Sequence, residues 1–459
     1  MNSSVLGIDF GTSSVKVLQK FRDNSVKKYK KEYKRKDRKG WWDAILSIFG
    51  EINFENVAAI GLASQVGTYL VNDKEIIHWN PAEGKEELQE LLEKYSSTVF
   101  RDELGMLHPR LNSYPLPRLL YCKRTYGKIS KLCQLKDEIC EKLTGEYVTD
   151  PYSWRGLINR EKMVYSPFFL KEMGIEEKVL PKIKNYNEMV GLTREIPLTK
   201  GKLPQGIPVY LGLNDFFSSL VGMGFGHKDT LFDVTGTSEH LGIITEELPL
   251  QTNLIAGPYL KNYLHYGVTA CGGDSIKMAL KLKTNRKVEK EEFLQKGPVF
   301  LPYLKGERAP IFDPDARGCF FGVETGDEDL LFYSVMEGVV FSLYHIYETL
   351  GSPQINRIIV SGGASEFSHL NQLKAEIFGV KVDIVEETET TALGAAMIAA
   401  VESEWFKNIE EAQKSWCRIK QQIIPTGRSK TLLKKRYSIY KKLYPALKPL
   451  YHEWNELKK

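Results

Sequence analysis

The feature that most constrains this chain is a short sequence that it carries twice. Asp9-Phe10-Gly11-Thr12-Ser13-Ser14 stands near the start, and Asp233-Val234-Thr235-Gly236-Thr237-Ser238 stands in the second half. Each copy ends an apolar or β-branched run, Val5 to Phe10 and Thr230 to Val234, and each is followed by another, Val15 to Phe21 and His240 to Thr245. Runs of this length bounded by glycine and hydroxyl residues read as strand, turn, strand. A turn built this way offers backbone N–H groups, hydroxyl groups and a glycine able to take positive φ, the chemistry that cradles phosphate. The aspartate at the strand end adds a carboxylate able to hold Mg2+ directly or through its waters. Either turn alone fits a polar hairpin capped by its aspartate equally well. The pair, one in each half, points to two similar domains facing one nucleotide.

The remaining pattern agrees with two domains of mixed type. A chain of 459 residues is too long for one ordinary core, and the expected division is 1–226 and 227–459. In the first part Val26 to Tyr33, Val57 to Ala63 and Gly206 to Gly212 read as further strands. The stretch from Pro81 to Glu146 is mainly helical and closes at Gly145, a suitable C-cap. In the second part Arg357 to Val360 is a strand ending in a third glycine-rich turn, Ser361-Gly362-Gly363-Ala364, and Val380 to Val385 is another strand. Leu330 to Leu350 has helical periodicity and reads as core, Thr390 to Val401 is a helix of small residues, and Lys434 to Leu457 is a final amphipathic helix. Helices mixed with strands in both halves make an α/β fold.

Composition removes several classes. Hydrophobic residues are 42% and charged residues 26%, as in a soluble globular protein. The net charge of +5 is concentrated in the run Lys20 to Lys39. Val26, Tyr29 and Tyr33 interrupt that run, which reads as an edge strand defended by lysines, and no nucleic-acid recognition motif follows it. The six cysteines show no C-x-x-C spacing and are expected as reduced thiols. No leader pattern and no run of about 18 apolar residues occurs, so the expected location is cytoplasmic, with no membrane partner. No G-x-x-x-x-G-K-[ST] loop occurs, and Gly222-Met223-Gly224-Phe225-Gly226 falls short of a dinucleotide fingerprint and reads as a helix end and hinge.

Taken together in chain order, the motifs resemble the FGGY carbohydrate kinases. Gly7-Ile8-Asp9-Phe10-Gly11-Thr12-Ser13 is similar to that family's first phosphate motif, and Leu143-Thr144-Gly145-Glu146 with Thr149-Asp150 to its mid-domain segment. Gly206-Ile207-Pro208-Val209 and Gly212-Leu213-Asn214-Asp215 resemble the segment carrying its catalytic aspartate, and Thr235-Gly236-Thr237-Ser238 its second phosphate motif. Leu301-Pro302-Tyr303-Leu304-Lys305-Gly306-Glu307-Arg308-Ala309-Pro310 is a very specific match; Glu337-Gly338-Val339 and Gly362-Gly363-Ala364 resemble the later signature helix and adenosine motif. The resemblance implies two RNase H-like domains of the actin-like ATPase fold flanking a nucleotide and sugar cleft. The sugar would lie mainly on 1–226 and ATP mainly on 227–459.

It also implies roles. Asp215 would be the general base that takes the proton of a sugar or polyol hydroxyl as the γ-phosphate of ATP is transferred; the same residue also stands where a helix N-cap is expected. Gly11, Thr12, Ser13, Thr235, Gly236 and Thr237 would hold phosphate, Gly362, Gly363 and Ala364 would leave room for adenosine, and Asp9 would organise Mg2+. Gln65 and Trp79 would contact the sugar, with Asn80 and Glu83 as weaker candidates; ordinary packing accounts for Trp79 as well. The family often reads G-Q-M-H-G and W-x-D-x-R where this chain reads Ser64-Gln65-Val66-Gly67-Thr68 and Trp79-Asn80-Pro81-Ala82-Glu83. The substrate expected from the family at large is a ketose such as a pentulose, or a polyol. Two rival readings use the same fold, a non-catalytic sugar or nucleotide sensor and an actin-like ATPase; a homodimer is the default assembly.

Overall fold

The structure is a computed structural model, and it describes residues 3–79, 82–106, 109, 111–195, 201–236, 238–249, 252–286 and 288–457. The chain forms two compact units. The first comprises Met1–Gly224 and Glu389–Cys417, the second Phe225–Thr388 and Arg418–Lys459. The division near 226 expected from the sequence therefore differs in one segment: 389–417, assigned to the second half by position in the chain, packs inside the first unit.

The first unit is built on a six-stranded sheet of β1 (Ser4–Phe10), β2 (Ser14–Phe21), β3 (Val26–Glu32), β4 (Val57–Ser64), β5 (Met189–Leu192) and β6 (Pro208–Tyr210), in the order β5-β6-β4-β1-β2-β3. β1, β2 and β3 run antiparallel in succession, while β4 pairs parallel with both β1 and β6. β1 is buried along its whole length, as a central strand must be. β3, VKKYKKE, is almost wholly exposed and lies at the sheet edge, so the lysine run is the charged edge expected of it. On one face lies the helix Thr390–Glu402, TTALGAAMIAAVE. Its small residues let backbone meet backbone: a Cβ at Gly7 of β1 would strike the Ala392 carbonyl, and one at Gly61 of β4 the Ala395 carbonyl. Between β4 and β5 the chain adds a largely helical region with its own core of Leu91, Phe100, Leu104, Leu119, Trp154 and Phe169. Its helix Leu135–Thr144 ends at Gly145 with φ of 93°, the left-handed C-cap anticipated from sequence.

The second unit repeats the plan. The strands of its main sheet are β7 (Thr230–Thr235), β8 (Glu239–Thr245), β9 (Ile255–Tyr259), β10 (Asn262–Val268), β11 (Arg357–Gly362), β12 (Lys381–Val385) and β13 (Ile419–Ile423), in the order β9-β10-β8-β7-β11-β12-β13. β7, β8 and β10 are antiparallel in succession, and β11 is parallel to β7 and β12. β7 thus takes the place that β1 takes in the first sheet, and the repeated Gly-Thr-Ser sequence marks a repeated sheet. The helix Glu328–Thr349 is long and apolar enough to cross a membrane by length and composition, and 78% of that apolar window is buried inside the unit. Val335, Val339, Phe341 and Ile346 carry it into the core, where the helix Lys430–Glu456 contributes Leu433, Tyr437 and Tyr440. The last helix begins four residues before the expected Lys434 and passes through Pro445 and Pro449.

Candidate active site

In the first unit the hairpin β1–β2 brings Asp9 to the sheet's C-terminal edge, opposite Lys16 of β2 and beside Ala63 of β4. The turn closes through the Gly11 N–H, which donates to the Ser14 carbonyl at 3.0 Å. Thr12 and Ser13 are exposed at its tip. Asp9 is buried, and among the described residues its Oδ1 has no hydrogen-bond partner. Burial pushes its carboxyl up to about 8; Asp215 and Glu389 add to the rise, and Lys16, paired with Glu389 at 2.6 Å, opposes it. A carboxyl this poor in cations is improved by a divalent ion. No cluster of three or more His, Cys, Asp or Glu side chains able to hold a metal exists among the described residues. Mg2+ carried by nucleotide phosphates takes only one or two carboxylates from a protein, so Asp9 fits such a site.

Asp215 opens the helix Asp215–Gly222. The cap is Asn214, whose side chain accepts the Phe217 N–H at 2.9 Å, so the capping role that sequence left open for Asp215 is filled by its neighbour. Asp215 is left without a capping role: it is half-buried, and its Oδ1 accepts the Phe216 N–H at 2.8 Å. Burial raises its carboxyl to about 6, with backbone N–H groups and then Lys136 resisting the rise. Lys136 had no signal in the sequence beyond its place on a helix. It is buried, paired with Asp150 at 2.5 Å, and its Nζ donates to the Gly212 carbonyl at 3.0 Å, which fixes the loop leading to Asp215. The helix itself is held by the small-residue helix, where the Ser218 hydroxyl donates to the Thr391 carbonyl at 2.8 Å.

Gln65 follows β4 directly and is buried, its N–H donating to the Phe10 carbonyl at 2.9 Å. Trp79 is exposed by 57%, so packing does not explain it. It borders Gly67, where φ is +86° and a Cβ would come 2.7 Å from the indole Cδ1. The glycine in place of the family's histidine is thus demanded by both backbone and ring. Gln65, Gly67 and Trp79 form one neighbourhood. Asn80 lies outside the described residues.

In the second unit Thr235 and Gly362 are partners in the parallel pair β7–β11. Thr235 Oγ1 donates to the Ser361 carbonyl at 3.0 Å and accepts the Ala364 N–H at 2.9 Å. Gly362 has φ of +96°, and a Cβ there would strike the Thr235 carbonyl. The turn after β7 and the glycine-rich turn after β11 are therefore joined. Gly236 is tied by its N–H to the Ser238 carbonyl at 3.0 Å; Thr237 lies outside the described residues. Behind the turn, buried Lys374 pairs with Asp233 at 2.5 Å and Glu239 stands alongside. Burial and then Asp233 push the Glu239 carboxyl well above its ordinary value.

The model of the FGGY family of carbohydrate kinases, N-terminal domain, matches residues 4–222, and that of the C-terminal domain matches residues 232–403. A xylulose kinase of Staphylococcus xylosus is 26% identical, over 96% of this chain and 99% of the relative. A glycerol kinase of Aquifex aeolicus is 26% identical over 89% and 92%. The crystal structure of a gluconate kinase from Lactobacillus acidophilus superimposes with a TM-score of 0.86 at 23% identity, covering 99% of this chain and 100% of that one. Plasmodium falciparum glycerol kinase with ADP superimposes at 0.85 and 19%, covering 97% and 98%. The chain belongs to the FGGY family of carbohydrate kinases and has its actin-like, RNase H-like fold.

Proposed function

We propose that this carbohydrate kinase transfers the γ-phosphate of ATP to a hydroxyl of a small ketose or polyol, a pentulose first among them, with Asp215 as general base. The observation that carries this reading is the state of Asp215: half-buried, relieved of capping by Asn214, held by the Phe216 N–H, and raised to about 6. A carboxylate so placed is ionised at neutral pH yet basic enough to accept a proton from an alcohol as its oxygen attacks phosphorus. Gly11, Thr12 and Ser13 of the first turn, and Thr235, Gly236 and Thr237 of the second, hold phosphate oxygens. Gly362, Gly363 and Ala364 admit adenosine, with open space at Gly363, where a Cβ would meet nothing within 4 Å. Mg2+, when bound at Asp9, neutralises phosphate charge. Gln65 offers an amide to sugar hydroxyls and Trp79 a face for the sugar ring. The pentulose preference rests on the near full-length similarity to xylulose kinases. The test is ADP release from MgATP across ketoses, aldoses, polyols and sugar acids, with Asp215→Asn beside the wild type. Turnover that depends on one acceptor class and is lost in the variant supports the reading; acceptor-dependent turnover retained by the variant refutes the base.

A further inference from the structure

The segment Leu301–Pro310 has no role in the chemistry so far, yet it sends one cation to the second phosphate turn. Arg308 Nη2 donates to Ser238 Oγ and, at 2.7 Å, to the Thr269 carbonyl. The backbone beneath it is fixed. Buried Glu307 accepts the Arg308 N–H at 2.7 Å and the Ala270 N–H at 2.6 Å, and the Ala309 N–H donates to the Val268 carbonyl at 3.0 Å. Thr269 in turn accepts the N–H of Glu239, the first residue of β8, at 3.3 Å. The guanidinium is thus anchored by one nitrogen across the ends of β10 and the β7–β8 turn. Glu307 spends its oxygens on backbone N–H groups and on Cys271, not on the guanidinium. Among the described residues Nε and Nη1 of Arg308 have no partner, and the side chain is only half-buried.

Sheet order gives this cation a direction. The strands run β10-β8-β7-β11, so Thr269 lies on one side of the Thr235–Ser238 turn and Gly362 on the other. An adenosine seated against Gly362–Ala364 runs its phosphates across the turn towards β10, where Arg308 waits. A guanidinium with two unspent donor nitrogens suits phosphate oxygens better than any other anion-binding side chain does. We propose that Arg308 binds the distal phosphates of the nucleotide, β and γ, from the β10 side of the second turn. This rests on the reading of Gly362–Ala364 as the adenosine site.

The experiment is calorimetric titration of the whole protein with adenosine, AMP, ADP and ATP, for the wild type, Arg308→Gln and Arg308→Lys. The expected result for Arg308→Gln is ADP and ATP affinity lowered by about 10- to 100-fold, the worth of a charge-assisted hydrogen bond or two, with adenosine and AMP changed by less than about twofold. Loss shared equally by all four ligands, or absent for ADP and ATP, overturns the assignment. If thermal melting shows Arg308→Gln unfolded, Arg308→Lys, which keeps charge without the fork, carries the same comparison by the same criteria. A wild type that binds none of the four retires the nucleotide site and Arg308 with it, whereas wild-type binding with no phosphate-dependent loss retires Arg308 alone.

Discussion

Asp215 and Asp9 are both carboxyls raised by burial, and their chemistry separates them. As the proposed base, Asp215 must be ionised to act, so kcat/KM is expected to fall as pH drops through about 6. A pH–rate profile flat down to pH 5 rules out the assignment. Asp9 gives a different signature. Unfolded, it ionises near its ordinary 3.8; folded and without metal, near about 8. Between those values the folded state keeps the extra proton, so stability falls as pH rises. Asp9→Asn removes that loss. In magnesium-free buffer the variant melts above the wild type at pH 8, and the difference shrinks towards pH 4. Adding MgATP raises the wild-type Tm and leaves the variant behind. A variant no more stable than the wild type at pH 8 would show that Asp9 is not held against its ionisation. The sequence marked both aspartates, because each ends a strand or a loop in a recognisable pattern. It could not rank Asn214 above Asp215 as the cap, since both residue types cap well and only the backbone geometry decides.

At the scale of elements, two contacts that the sequence did not specify hold helices in place. The helix Thr390–Glu402 was legible as a small-residue helix able to pack closely, but not what it packs against. The answer lies in glycines far away in the chain. Gly222 meets the Thr390 carbonyl, and Gly394 meets the Ser218 carbonyl, so the helix that begins with Asp215 rests backbone to backbone on it. Gly394→Ala forces the two apart and destabilises by about 1–3 kcal/mol. Because Thr391 also donates to the Asp215 carbonyl at 3.3 Å, kcat falls with it. Denaturant melts and steady-state kinetics check both; an unchanged melt refutes the packing. Glu337 is the second contact. Read from sequence as part of a signature helix, it is a buried carboxylate gripping Arg436 of the last helix through bonds of 2.7 and 2.8 Å. Glu337→Gln leaves that guanidinium without its counter-charge, at a cost of about 3–5 kcal/mol in unfolding free energy. No shift in the unfolding midpoint would mean that the carbonyls of Leu294, Gly297 and Pro298, to which Arg436 also donates, suffice.

At the scale of the whole molecule, the repeated turn correctly announced a repeated sheet, because a phosphate-binding hairpin needs a strand on either side and those strands need a core. What sequence order hides is ownership. The hydrophobic faces of β1 and β4 are covered by residues 390–402, and Gly7 and Gly61 exist to let that cover approach. No local pattern reveals a partner so distant in the chain, since periodicity reports which face is apolar and not what lies on it. The consequence is testable with fragments. Residues 1–224 alone leave the glycine face of the central strands uncovered and do not unfold cooperatively. Co-expressed with 389–417, which supplies the helix and Trp416 beneath Lys20 at 5.6 Å, the same fragment recovers a single cooperative transition and slow amide exchange along β1. Cooperative unfolding of 1–224 without the helix would show that the first unit is complete at Gly224 and that the small-residue helix is dispensable to it.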